Sequence, residues 1–128
     1  METHSFKAAY ETGMAKISVM LGVYLFKEDN VFITYCPALD LSGYGYDERE
    51  AKLSFAEVMR QYLDYCLHKH TLVKDLQRLG WNIKSMKQRK IKSPDVVTLL
   101  KRNPAFKDIM EHKDYAKYTE QLTIPELA

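Results

Sequence analysis

The sequence predicts an α+β domain, a small antiparallel sheet with a helix packed across it. Three observations predict it. Two runs rich in β-branched and aromatic residues, Lys16 to Phe26 and Val31 to Tyr35, flank the polar tetrad Lys27-Glu28-Asp29-Asn30, the pattern of a hairpin. A capped amphipathic helix begins after Asp47, and a late segment, Tyr118 to Ile124, alternates like a strand.

Length and composition agree with that class. The 128 residues are 46% hydrophobic and 28% charged, with 5 Gly and 4 Pro, which excludes collagen-like, low-complexity and globally disordered chains. A chain of this size buries roughly two-thirds of the surface its unfolded form exposes, so it needs neither disulfides nor metals to fold. The longest apolar run, Ile17 to Phe26, is interrupted by Ser18 and Gly22 and falls far short of the roughly 20 residues of a membrane-spanning helix. The N-terminal segment has no apolar stretch of the secretory kind, so a cytoplasmic location without a membrane is expected. Cys36 and Cys66 sit inside apolar patterns rather than at metal-type spacing and read as free, buried thiols.

In chain order, residues 1–13 mix charge and small polar residues without period and read as a poorly ordered lead-in. Residues 14–86 form the αβ core. In it, Val31, Ile33 and Tyr35 lie on one strand face and Phe32 and Thr34 on the other. Pro37 closes that strand, and Leu39 to Gly45 supplies a third short one, with Gly43 and Gly45 placed for close approach or unusual dihedrals. Asp47 with Glu50 three residues later is a capping-box pair. The stripe Ala51, Phe55, Val58, Met59, Tyr62 and Cys66 then faces the sheet. A second helical period, Leu72, Val73, Leu76 and Leu79, ends at Gly80, and Trp81 to Met86 alternates as a fourth, edge-type strand. Residues 87–128 read as a basic linker and a C-terminal helical extension with a final strand, part of the same domain. One helix starts at Ser93-Pro94 with Ser93 as its cap, a second runs from about Ala105 to Met110, and Pro125 ends the last strand.

Few residues suggest catalysis. Asp40, Asp47, Glu48 and Glu50 are close in sequence, as a divalent-metal nuclease with ions roughly 4 Å apart requires. Asp47 and Glu50, however, already have capping roles, where acids are stabilising without any metal. His68 and His70, two residues apart, point to different sides of a helix and cannot share a metal; they suit the helix C-terminus instead. No nucleophile elbow or phosphate-cradling glycine loop is present, since Gly43-Tyr44-Gly45 lacks the third glycine. No catalytic residue, metal site or cofactor is expected. Lys84, Lys87, Arg89, Lys90 and Lys92 give a local charge of +5 against +2 for the whole chain, leaving −3 for the rest. Such a segment either contacts nucleic-acid phosphates or an acidic partner, or keeps an exposed edge from aggregating.

The residues Tyr35-Cys36-Pro37-Ala38-Leu39-Asp40 and Gly43-Tyr44-Gly45-Tyr46-Asp47-Glu48-Arg49-Glu50-Ala51, in the order strand, strand, short strand, helix, strand, resemble the HicB-like antitoxin family over about Lys16 to Ser85. Pro37, Gly43, Gly45, Asp47, Glu50 and Ala51 fall on that family's strand end, glycine-containing strand and helix cap. The resemblance implies a partial ribonuclease-H-like fold without catalytic machinery. It also implies a partner, a small basic RNA-cleaving toxin met by the helix and neighbouring sheet. Many relatives carry an appended DNA-binding module. None is expected here, because a ribbon-helix-helix needs two helices after its strand, and a helix-turn-helix over Pro94–Arg102 and Ala105–Glu111 has a poor turn at Asn103-Pro104. The expectation is a non-catalytic, homo-oligomeric antitoxin-type protein. A regulator that binds RNA or DNA through residues 84–92 is the alternative, and a divalent-metal nuclease stands third.

Overall fold

The computed structural model describes residues 16–125; the lead-in expected over 1–13 lies outside them. The described chain is α+β, with a four-stranded antiparallel sheet and helices packed across both of its faces. β1 (Lys16–Glu28) and β2 (Val31–Cys36) form the expected hairpin. Asp29 and Asn30 both take left-handed dihedrals, φ 53° and 69°, the signature of a two-residue type I′ turn whose twist matches the strands. Because that turn needs only two residues, Lys27 and Glu28 stay in β1, two positions beyond the expected end. β3 (Leu41–Gly45) pairs with β2, and starts later than expected because Pro37 to Asp40 form a turn.

α1 (Glu48–Lys69) starts where its cap predicts. Asp47 Oδ1 accepts from the Glu50 N–H at 2.7 Å, but the Glu50 carboxylate accepts from the Tyr46 N–H at 2.8 Å rather than from the cap residue's own N–H. The buried stripe is Ala51, Phe55, Met59, Leu63 and Cys66, with Val58 and Tyr62 half-buried at its flank. His70 closes the helix at φ 58°, its N–H turned back to the Cys66 and Leu67 carbonyls, and His68 lies in the last turn. α2 (Leu72–Arg78) follows, ending before Gly80 at φ 100°. The Trp81 indole N–H, buried, donates to the Ala38 carbonyl at 2.9 Å and ties this corner to the turn after β2.

Beyond Trp81 the structure departs from the sequence reading. The strand expected after the helices is not in the main sheet: β4 (Asn82–Ser85) pairs only with β5 (Lys90–Lys92), as a separate ribbon. The expected basic linker is therefore the tip and second strand of a hairpin. α3 (Val96–Arg102) is capped by Asp95, whose side chain accepts from the Thr98 N–H, and not by Ser93; a carboxylate three residues before a free helical N–H serves better than a hydroxyl further out. α4 (Pro104–His112) follows after Asn103 alone. That residue closes α3 through its N–H to the Leu99 carbonyl and caps α4 through its side chain to the Phe106 N–H, so these helices lack the turn of a helix-turn-helix.

β6 (Ala116–Pro125) completes the sheet beside β1, order β3-β2-β1-β6, and is longer than expected at both ends; Pro125 lies within the pairing, opposite Lys16. The two-residue alternation gives the sheet two apolar faces. Ile17, Leu21 and Val23 of β1, Cys36 of β2 and Leu122 and Ile124 of β6 pack under α1, α2 and Trp81. Tyr24 and Phe26 of β1 and Tyr35 of β2 pack on the opposite face against Leu99, Phe106 and Ile109 of α3 and α4.

Candidate interaction surfaces

Of the residues that carry the resemblance, Gly43, Gly45, Glu50 and Ala51 meet at the contact of α1 with β3. A Cβ at Gly43 would stand 2.7 Å from Thr34 Oγ1 and 2.8 Å from Phe55 Cα, and one at Gly45 would meet Ala51 and Glu50 as closely. Only glycine lets the helix backbone lie directly on the strand. Thr34, fully buried, donates to the Ala51 carbonyl at 3.1 Å across that contact, and Ser54 Oγ accepts from the Tyr44 N–H at 3.1 Å, closing the outer edge of β3. Pro37 sits at the end of β2, where the turn to Asp40 begins.

Four of the eight exposed large hydrophobic side chains among the described residues belong to this unit: Tyr44, Tyr46, Leu53 and Tyr65. Tyr46, 82% exposed, stands immediately before the cap of α1, and Leu53 lies one turn into the helix. Charged side chains surround them, with Glu57 paired to Arg60 and Gln61 and its carboxyl held below the usual range by those hydrogen bonds. The sequence alone assigned no residue to a toxin-facing surface. Leu53 and Tyr65 nevertheless carry a readable signal, because they fall off the stripe Ala51–Cys66 onto the polar side of the helix.

The basic residues form the second surface. Ile83 and Ile91 pair across the ribbon and pack on the core, which leaves Asn82, Lys90 and Lys92 on the outer side and Lys84 exposed at an irregularity in the pairing. Lys87 and Arg89 lie in the connecting turn, Arg89 at φ 59°. No salt bridge within 4.0 Å engages Lys84, Lys87, Lys90 or Lys92 among the described residues. Lys90 and Lys92, two residues apart in a strand, stand about 6.6 Å from each other along the ribbon. A two-stranded ribbon of this kind also has the width of a DNA major groove.

The remaining candidate groups are dispersed. Asp40 accepts from the Tyr35 hydroxyl at 2.6 Å, while Asp47 and Glu50 serve the cap of α1. Among the described residues no three His, Cys, Asp or Glu side chains come together as metal ligands. Cys36 and Cys66 are free and buried, and burial pushes the Cys36 thiol up to about 12. No helix among the described residues is long and apolar enough to cross a membrane. Comparison with family models, with curated proteins and with solved structures gave no match.

Proposed function

We propose that this is a non-catalytic, HicB-like antitoxin-type protein that binds a small, basic, RNA-cleaving toxin through α1 and the adjoining edge of β3. The observation that carries the reading is the exposure of Tyr44, Tyr46 and Leu53 around the start of α1, on the unit that the resemblance singles out, with Tyr65 exposed further along the same helix. Large apolar side chains exposed on the outer side of an otherwise charged helix lose stability in water and regain it against a partner, and tyrosine is a favoured anchor at such interfaces. Gly43, Gly45 and the Thr34 hydrogen bond give that surface a rigid support. Self-association through β6, at the edge of the described sheet, belongs to the same reading.

The test is capture with the tagged chain from a lysate of its source cells, at low and at high salt. A small basic protein retained at high salt, and lost with Tyr46→Ala and Leu53→Ala together, is the expected result, because an apolar interface is less salt-sensitive than phosphate contacts. A second reading, nucleic-acid binding, is favoured by the ribbon's outward lysines. Captured nucleic acid that is lost on raising salt, with no protein partner, would replace the first reading by the second.

A further inference from the structure

Between the turn after β2, the end of α2 and the α3–α4 corner lies a cleft of about 280 Å³, walled by Asp40, Arg78, Arg102, Asn103 and Pro104. Two unusual backbone conformations flank it. Asp40 is left-handed at φ 54°, a costly state for a residue with a side chain, and Gly80 stands at φ 100°. Each is tied to a polar group of the cleft. Tyr35 donates its hydroxyl proton to Asp40 Oδ1 at 2.6 Å and accepts from Asn103 Nδ2 at 2.7 Å, which fixes one carboxylate oxygen; Oδ2 has no hydrogen-bond partner among the described residues. The Arg102 guanidinium occupies the space that a Cβ at Gly80 would need, and its Nη2 donates to the Arg78 carbonyl at 3.0 Å. Arg78 is held in turn by its Nε on Asp75 Oδ1 at 2.9 Å.

The result is two guanidiniums, from α2 and α3, held at one concavity with a carboxylate fixed between the turn and Asn103. Arg78 shares its charge with Asp75 and Asp40, whereas Arg102 has no salt bridge among the described residues, and a guanidinium fork matches a phosphate better than any other side chain does. Donors arriving from two helices suit a tetrahedral group with three free oxygens; a planar carboxylate is served by one fork. Asp40, exposed at the mouth of the cleft, leaves Oδ2 open to accept a hydrogen bond from a ligand donor. The volume lies just below the usual range for ligand sites, about 300–1,000 Å³, and suits a head group rather than a whole dinucleotide. We propose that the cleft binds a terminal phosphate monoester on a sugar, with Arg78 and Arg102 on the phosphate oxygens and Asp40 accepting from a sugar hydroxyl. Its source is either a free nucleoside monophosphate or the 5′-phosphorylated end of a nucleic-acid strand. The proposal uses no residue of the α1–β3 surface.

Titration calorimetry distinguishes the sources. Adenosine 5′-monophosphate, a 5′-phosphorylated oligonucleotide and the same oligonucleotide with a 5′-hydroxyl are compared on the full chain. The phosphorylated ligand is expected to bind at least about tenfold more tightly than the hydroxyl form, the worth of one charge-assisted contact. Arg102→Gln and Arg78→Gln each remove that preference, Arg102→Lys restores it in part, and replacing Lys84, Lys90 and Lys92 by Ala preserves the ratio. Tight binding of the monophosphate alone assigns the free nucleotide, and tight binding of the strand alone assigns the strand end. Equal binding of the phosphorylated and hydroxyl strands without tight binding of the monophosphate, or a preference unchanged in Arg102→Gln with an unaltered melting temperature, would overturn the proposal.

Discussion

Replacing Gly43 by Ala tests the contact on which the α1 surface rests. The added methyl would lie 2.8 Å from Phe55 Cα and 2.7 Å from Thr34 Oγ1, and the nearest groups are helix backbone that cannot rotate aside. Ordinary contact between carbons is about 3.5 Å or more, so α1 must lift from the sheet by several tenths of an ångström. Overpacking of this kind costs about 1–3 kcal/mol. The lift also strains the bond from the fully buried Thr34 hydroxyl to the Ala51 carbonyl, worth about 1–3 kcal/mol if both groups are left unsatisfied. The restricted unfolded chain returns about 0.4–1 kcal/mol. The net expectation is a loss of about 3 kcal/mol, read in urea unfolding by far-ultraviolet circular dichroism as a midpoint lower by about 1–2 M. Gly22→Ala is the control. There the new methyl meets only the Lys117 side chain, Cε at 2.9 Å, which can swing away, so the change stays within about 0.5 kcal/mol. A Gly43→Ala midpoint indistinguishable from the wild type would refute the close-approach argument.

Three further outcomes are expected. Phe106→Ala, at a fully buried ring 4.9 Å from that of Tyr24, costs about 3–5 kcal/mol by urea unfolding; a loss under about 1 kcal/mol would mean that α3 and α4 add little to the sheet. The Cys36 thiol and the Tyr118 hydroxyl are both pushed up to about 12 by burial, and burial raises Tyr35 as well. The folded state favours their neutral forms, so this stability is intact below the ordinary values of 9.0 and 10.0 and is lost as pH rises toward 12. Melting temperature should be flat to about pH 9 and fall above it, and Tyr118→Phe, which removes a buried hydroxyl without a partner among the described residues, should soften the fall without loss at pH 7. If the ribbon binds nucleic acid, changing Lys84, Lys87, Lys90 and Lys92 together to Ala lowers the salt slope of binding by about 3–4 with stability almost unmoved; an unchanged slope in fluorescence anisotropy removes the ribbon from that role.

What the sequence made legible was local. The hairpin at Lys27–Asn30, the cap at Asp47 and the stop at Gly80 are each written in a few neighbouring residues, although the turn itself takes only Asp29 and Asn30 of that tetrad. The fourth strand was misread because alternation from Trp81 to Met86 says that a strand exists but not what it pairs with. Ile83 and Ile91 send it to a ribbon, and β6, some thirty residues later, takes the place beside β1. The start of α3 was misread because the Ser93-Pro94 step has the look of a cap, whereas the Asp95 carboxylate is the group that accepts from the Thr98 N–H. The cleft was invisible for a simpler reason. Tyr35 and Asn103 are separated by 68 residues, and no local pattern joins them.

The most direct test of the antitoxin reading is RNA cleavage by the captured partner, measured alone and with an equimolar amount of this protein. The partner should degrade RNA by itself and fall silent when the wild-type chain is added, but stay active when Tyr46 and Leu53 are both changed to Ala. A partner without ribonuclease activity, or one whose cleavage is unaffected by the wild-type chain, would contradict the account.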